Sequence, residues 1–333
     1  MIPTPGLCLE YLPLPDGGAR LIRLYGETPC PILPEAVDGH PLTELGPYCF
    51  APEQRARLLP PEELLRRYTV PAAPRGRYDF GDDEPDADLP RIAGNFLEQI
   101  TLPDSLHLIG EAAFYNCRAL CAIHMGRGIQ VLGSDALTNT LALTLLTVRG
   151  TANQPSGAQR LLDALRGEVQ LRFADAVLWY PEFWEDITEV PAHMLIPTFS
   201  GRGYHYRQCF ANGAVDFKEY DAVLHTTGEG DDPATLAMLA FDRLRSPTAL
   251  APQAEALYRT YLADPGHGVL CARRLLNAQD TDALRTLLEL AVLTPDALRQ
   301  SSDLAVQADN AEAAALIATA LRGKARRRRY AFD

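Results

Sequence analysis

Between residues 97 and 148 the chain repeats itself every 23 residues. Leu97, Leu120 and Leu143 occupy one position of the repeat, Ile100, Ile123 and Leu146 a second, and Leu102, Met125 and Val148 a third. The register extends to Leu106 with Ile129, Ile109 with Leu132, Gly110 with Gly133, Ala113 with Ala136, and Phe114 with Leu137. A fixed period of this length with an LxxLxL core marks a solenoid, in which each unit adds one short strand to a shared parallel sheet. Its leucines point inward, because side chains alternate across a strand. Leu106, Ile109, Phe114, Ile123 and Ile129 are therefore expected in the core. Glu98, Gln99, Thr101, Cys121, Ala122, His124, Thr144, Leu145 and Thr147 are expected to face outward.

The units resemble BspA-like leucine-rich repeats. The resemblance rests on Leu102-Pro103, Leu106, Ile109-Gly110, Ala113-Phe114 and Asn116-Cys117. The following unit keeps the spacing with Met125-Gly126 and Asn139-Thr140. The family resemblance implies a binding scaffold and says little about the partner, since one scaffold carries many grafted sites. Residues 32–50 read as an earlier repeat, with Leu33-Pro34, Leu45-Gly46 and Cys49-Phe50. Residues 7–25 read as a β-hairpin turning at Asp16-Gly17-Gly18, suited to cap the first sheet edge.

The register breaks between 51 and 96, a proline-rich insertion with the acidic run Asp82, Asp83, Glu84, Asp86 and Asp88. PEELLRRY (61–68) predicts two helical turns, since Pro61 suits a first helical position and the glutamates suit its positive end. The rest reads as an exposed loop. From 151 to 228 the repeat is lost. A helix over 156–167 and a strand over 168–173 precede an aromatic-rich α/β junction expected to close the solenoid. A ligand cleft there would draw on Trp179, Tyr204, His205, Arg207 and Cys209.

The remainder, 229–323, reads as a helical-repeat domain. Ala254, Leu257, Tyr258 and Tyr261 recur as Leu284, Leu287, Leu288 and Ala291, then as Ala313, Leu316, Ile317 and Ala320. Each set has i, i+3, i+4, i+7 spacing, one face of a helix. Partner helices are expected near 233–245, 268–277 and 296–307. Asp232-Pro233 and Thr294-Pro295 mark helix starts, Asn310 caps the last helix, and Gly323 is expected to end it. Helical pairs of about this period loosely resemble ankyrin-type repeats, without the T-P-L-H turn. A basic tail, 324–333, contains Lys324 and Arg326 to Arg329. The fold class is thus an α/β solenoid: a leucine-rich repeat domain (1–150), the junction (151–228) and the helical array.

With 31 basic and 43 acidic residues the chain carries −12 formal charges, which argues against a dedicated nucleic-acid binder. The first residues lack the basic, uninterrupted apolar pattern of a signal peptide, and no apolar run is long enough to span a bilayer. Seven cysteines without a C-x-x-C pair suggest free thiols and a cytoplasmic setting.

Chemistry-bearing motifs are sparse. Cys209 and His205 could pair as nucleophile and base, with His193 and His225 nearby in sequence, but their spacing of four in a strand gives no proximity. Cys117 and Cys121 have metal-like spacing, yet Cys117 falls on a core position. Gly201-Arg202-Gly203 lacks the lysine and further glycine of a phosphate loop and reads as a turn. The expectation is a non-enzymatic interaction or scaffold protein with no catalytic residue, metal or cofactor. An unidentified protein would dock on Glu98, Gln99, Thr101, Ala122, His124, Thr144 and Thr147. The alternatives are an enzyme or small-molecule binder at the junction, through Tyr204, His205, Arg207 and Cys209, and a nucleic-acid adaptor using the basic tail.

Overall fold

The computed structural model describes residues 2–71, 89–190, 194–225 and 231–330. The chain divides into two compact units, Met1–Ala174 with Phe210–Val215, and Asp175–Cys209 with Asp216–Asp333. The acidic run 82–88, His193 and residues 331–333 lie outside the described residues.

The first unit is a β-solenoid built on two sheets. Its strands are β1 (Cys8–Pro13), β2 (Ala19–Tyr25), β3 (Ala36–Val37), β4 (His40–Leu45), β5 (Arg66–Thr69), β6 (Gln99–Thr101), β7 (Leu108–Ile109), β8 (Ala122–Met125), β9 (Val131–Leu132) and β10 (Leu145–Val148). A short helix α1 (Ala158–Asp163) and strand β11 (Val169–Arg172) follow. One sheet runs β5-β1-β2-β4-β7-β9, and β2, β4, β7 and β9 are mutually parallel. The expected hairpin is the antiparallel β1–β2 pair, and β4 forms the earlier repeat, with Leu45 in register with Ile109 and Leu132.

The second sheet carries β6, β8, β10 and β11 in parallel. Ile100, Ile123, Leu146 and Leu171 lie side by side in it. The fourth rung is spaced 25 residues from Leu146 rather than 23, so a search at fixed period passes over it. Leu97, Ile100, Leu106, Ile109, Phe114, Leu120, Ile123 and Ile129 are all buried, as the periodicity requires.

A third ladder runs through the turns that join the sheets. The amides of Ala112, Phe114 and Asn116 donate to the carbonyls of Ser134, Ala136 and Thr138, and those of Tyr48 and Phe50 donate to Glu111 and Ala113. Phe50 stacks on Phe114 with centroids 5.1 Å apart. The repeated Asn of each turn has a conformational reason: Asn116 and Asn139 sit at φ 60° and 62°, in the left-handed region that Asn tolerates better than most residues. The repeated glycine has a packing reason. A Cβ on Gly133 would lie 2.5 Å from the carbonyl carbon of Gly110, and one on Gly110 would lie 2.8 Å from that of Gly46.

The insertion departs from expectation. PEELLRRY forms a single 3-10 turn, Glu62–Leu64, and then strand β5 rather than two helical turns. β5 pairs antiparallel with β1, placing Arg67 opposite Glu10 while Arg23 of β2 flanks Glu10 on the other side. Both arginines bond the Glu10 carboxylate, at 2.8 and 2.7 Å. Helix propensity there is overridden by an unpaired sheet edge that only the folded chain supplies. The loop's return is also packed: Ile92 is buried, and the Arg91 guanidinium donates to the carbonyls of Cys49 and Ala51.

The second unit begins with β12 (Val177–Tyr180) and the antiparallel hairpin β13 (Trp184–Val190) and β14 (Met194–Ser200). Helices α2 (Gly203–Arg207) and α3 (Phe217–Val223) lead into six longer ones, α4 (Pro233–Arg245), α5 (Pro252–Ala263), α6 (Pro265–Asn277), α7 (Thr281–Glu289), α8 (Pro295–Gln307) and α9 (Ala311–Tyr330). These pack as repeated pairs, α4 with α5, α6 with α7 and α8 with α9, and α4–α6–α8 form a continuous row. The caps set the boundaries. Asp232, Asp264 and Thr294 each accept backbone N–H groups ahead of Pro233, Pro265 and Pro295, and Asp280 and Asn310 cap α7 and α9.

Two details differ from the sequence reading. Ala291 lies past the end of α7 at φ 55°, outside the helical face assigned to it. The helix α9 continues through Gly323 to Tyr330. A glycine costs only about 1 kcal/mol in a helix, and the Ala, Lys and Arg around it are good helix formers.

Candidate interaction surface

On the outer face of the second sheet, register places Thr101, His124, Thr147 and Arg172 in one row across β6, β8, β10 and β11. Gln99, Ala122, Leu145 and Gln170 form the neighbouring row. Glu98, Gln99 and Thr144 are exposed, and Thr101, His124 and Thr147 are half-buried. Ala122 corrects the expected outward set. It is only 2% exposed, because its small side chain lies between the longer Gln99 and Leu145 on the flanking strands.

The row is electropositive at its far end. His124 has its pKa lowered by partial burial and by the charges of Arg149 and Arg172. Arg149 reaches back across the coils to the Asp104 carboxylate (2.6 Å) and the Leu102 carbonyl. A neutral imidazole, two hydroxyls and an amide on a rigid sheet suit hydrogen bonding to another protein surface.

Tyr204 and Arg207 both pack on the Phe183 ring, while Trp179 and the Cys209 thiol are held in other contacts. Trp179 donates its indole N–H to Asp242, and its backbone is bonded on both sides by the Tyr220 hydroxyl. Arg207 is buried, donates to the carbonyls of Pro181 and Gly203 at 2.6 and 2.9 Å, and lies over the Phe183 ring. Tyr204 stacks on Phe199 at 3.9 Å, and His205 is exposed. His205 and Cys209 fall on or just after helix α2, not in a strand. The Cys209 thiol donates to the His205 backbone carbonyl rather than facing the imidazole. Burial pushes that thiol's pKa up to about 12. Cys117 is likewise buried, donates to the Phe50 carbonyl and is pushed up to about 12 by burial. Gly201 turns at φ 84°, and Arg202 pairs with Asp231.

A polar network that sequence reasoning missed lies in the helical unit. Arg243 on α4 makes two bonds to the Asp221 carboxylate on α3, at 2.8 and 2.9 Å, and Tyr258 on α5 donates to the same carboxylate. All three are buried, so the pair is fully hydrogen-bonded where an isolated charge would be costly. Nothing in local sequence signals it, since the partners are 22 and 37 residues apart. On the surface of the array, a shallow groove of about 390 Å³ between α7 and α9 is lined by Leu288, Ala315, Leu316 and Ala320 together with Arg285 and Glu289.

Among the described residues no group of three His, Cys, Asp or Glu side chains is placed to hold a metal ion, and no helix is long and apolar enough to cross a membrane. No curated protein and no solved structure matches the chain. A family model described as BspA type leucine rich repeat region (6 copies) matches residues 93–155. The first unit therefore contains a BspA-type leucine-rich repeat region, folded as a β-solenoid.

Proposed function

We propose that this chain is a non-enzymatic interaction protein that holds a protein partner on its repeat surfaces. Leucine-rich solenoids are generally used for protein–protein contact, because stacked coils present an extended, rigid face. The observation that carries the reading is the in-register outer row of Thr101, His124 and Thr147, with exposed Glu98, Gln99 and Thr144 beside it. The helical pairs, proposed to be ankyrin-type on the strength of their length and pairing, offer a second surface. Non-enzymatic action is supported by the engagement of Arg207 and Cys209 in structural hydrogen bonds. A reducing, cytoplasmic setting is supported by seven free cysteines.

The test is crosslinked capture from the native host, comparing the wild type with a variant carrying Glu98→Ala, Gln99→Ala and His124→Ala. Surface substitutions of this kind change stability little, so the variant should melt with the wild type and lose the captured protein. Undiminished capture would move the binding surface off this sheet.

A further inference from the structure

Two ladders that run along the solenoid turns stop at the same residue. The Asn139 carboxamide donates to Oδ1 of Asn116 at 2.8 Å, and one coil further the equivalent position is Pro52. The backbone ladder that continues from Phe50 to Ala113 also stops there, because proline has no N–H. The chain leaves the turn at Pro52 and returns at Gly94, whose backbone amide bonds the Phe50 carbonyl.

Where the next rung would lie there is a cavity of about 240 Å³, lined by Pro52, Asn95, Asn116 and Arg118. Asn95 and Arg118 stand 23 residues apart, one above the other in the repeat. Arg118 is exposed, and its guanidinium has no carboxylate or carbonyl partner among the described residues. Asn116 accepts from Asn139 through its oxygen, and no hydrogen bond from its own NH₂ is formed among the described residues. Two side-chain amides and a guanidinium with no partner among the described residues thus line one small space.

We propose that this cavity binds a carboxylate. A guanidinium accepts a carboxylate through two parallel N–H···O bonds, and a planar fork of this kind is favoured over a point charge for that purpose. The carrier would be the partner of the interaction reading, presenting either an acidic side chain or a chain terminus. Only the identity of the carrier rests on that reading. The cavity itself is tested with small peptides, so its failure is separate from a failure of partner capture.

The experiment follows the side-chain amide resonances of Asn95 and Asn116 in the full chain by NMR. Three N-acetylated tripeptides are titrated at millimolar concentration: one with uncharged side chains and a free C-terminal carboxylate, the same one amidated, and an amidated one with a central glutamate. One or both carboxylate probes should shift the two amides, and the one that does identifies the source. The neutral amide should not. Arg118→Gln, which removes no side-chain bond among the described residues, should weaken the binding at least about tenfold without moving Tm. Equal shifts with the neutral amide, no shift with any probe, or unchanged affinity in Arg118→Gln would each overturn the proposal.

Discussion

The two repeat regions keep their spacing by different physics. In the β-solenoid, successive coils bond backbone to backbone along two sheets and a turn ladder, and Gly110 and Gly133 nearly touch the coil before them. A residue added inside a strand would shift its rungs, so the 23-residue period holds from β6 to β10. Extra residues enter between strands, as in the 51–96 insertion and the 25-residue step to Leu171. In the helical array, pairs meet through side chains and the boundaries are set by caps. First helices start at Pro233, Pro265 and Pro295, 32 and then 30 residues apart, with no loss of stacking. Side-chain packing tolerates small shifts along a whole helix pair, whereas the ladder takes extra residues only in the loops between its strands. A strict period therefore survives as a family signature, and a loose one fades from the sequence.

The largest expected effect falls on the solenoid core. Phe114→Ala removes the ring stacked on Phe50 and should cost about 3–5 kcal/mol by leaving a cavity. Hydrogen exchange of the 97–148 amides reports this unit by itself. A loss under about 1 kcal/mol would break the assigned register.

The same substitution should then have opposite signs in the two regions. Gly133→Ala forces a Cβ against backbone that cannot turn aside, costing about 3 kcal/mol, the upper end for overpacking. Gly323→Ala meets nothing within 4 Å and should stabilise α9 by up to about 1 kcal/mol. Equal effects, read by thermal melting and by exchange of the two sets of amides, would show that close backbone approach does not distinguish the solenoid.

A pH-dependent effect concerns how the first sheet holds its edge. Burial alone would raise the Glu10 pKa, but the bonds and charges of Arg23 and Arg67 outweigh it and hold the carboxyl below its usual value. A folded pKa below the unfolded one contributes stability above the unfolded value, near ~4.3, which is lost as pH falls through the folded pKa. Glu10→Gln should therefore cost about 1.5 kcal/mol at neutral pH, the lower end for a bond to a charged group. The difference from wild type should shrink in acid melts below pH ~4. A gap that stays constant with pH would mean that packing, not charge, ties β5 to the hairpin.

What the sequence determined by itself is whatever repeats or caps locally. Period, glycine and asparagine positions, and Asp-Pro and Thr-Pro starts were enough to place the coils from β6 to β10 and the helices α4 to α9, because each is written within a few residues of the structure it specifies. Tertiary structure alone decided the rest. Arg66–Thr69 became a strand because β1, far behind it in the chain, offered an open edge. Val169–Arg172 joined the second sheet at a spacing the repeat does not predict. Ala122 was buried by its neighbours across the strands, while the rest of its outward set stayed at least partly accessible. The Arg243–Asp221–Tyr258 network and the cavity at Pro52 arise where distant segments meet. Local pattern records which conformation a segment favours, but accessibility and partnership depend on what the rest of the chain brings alongside it.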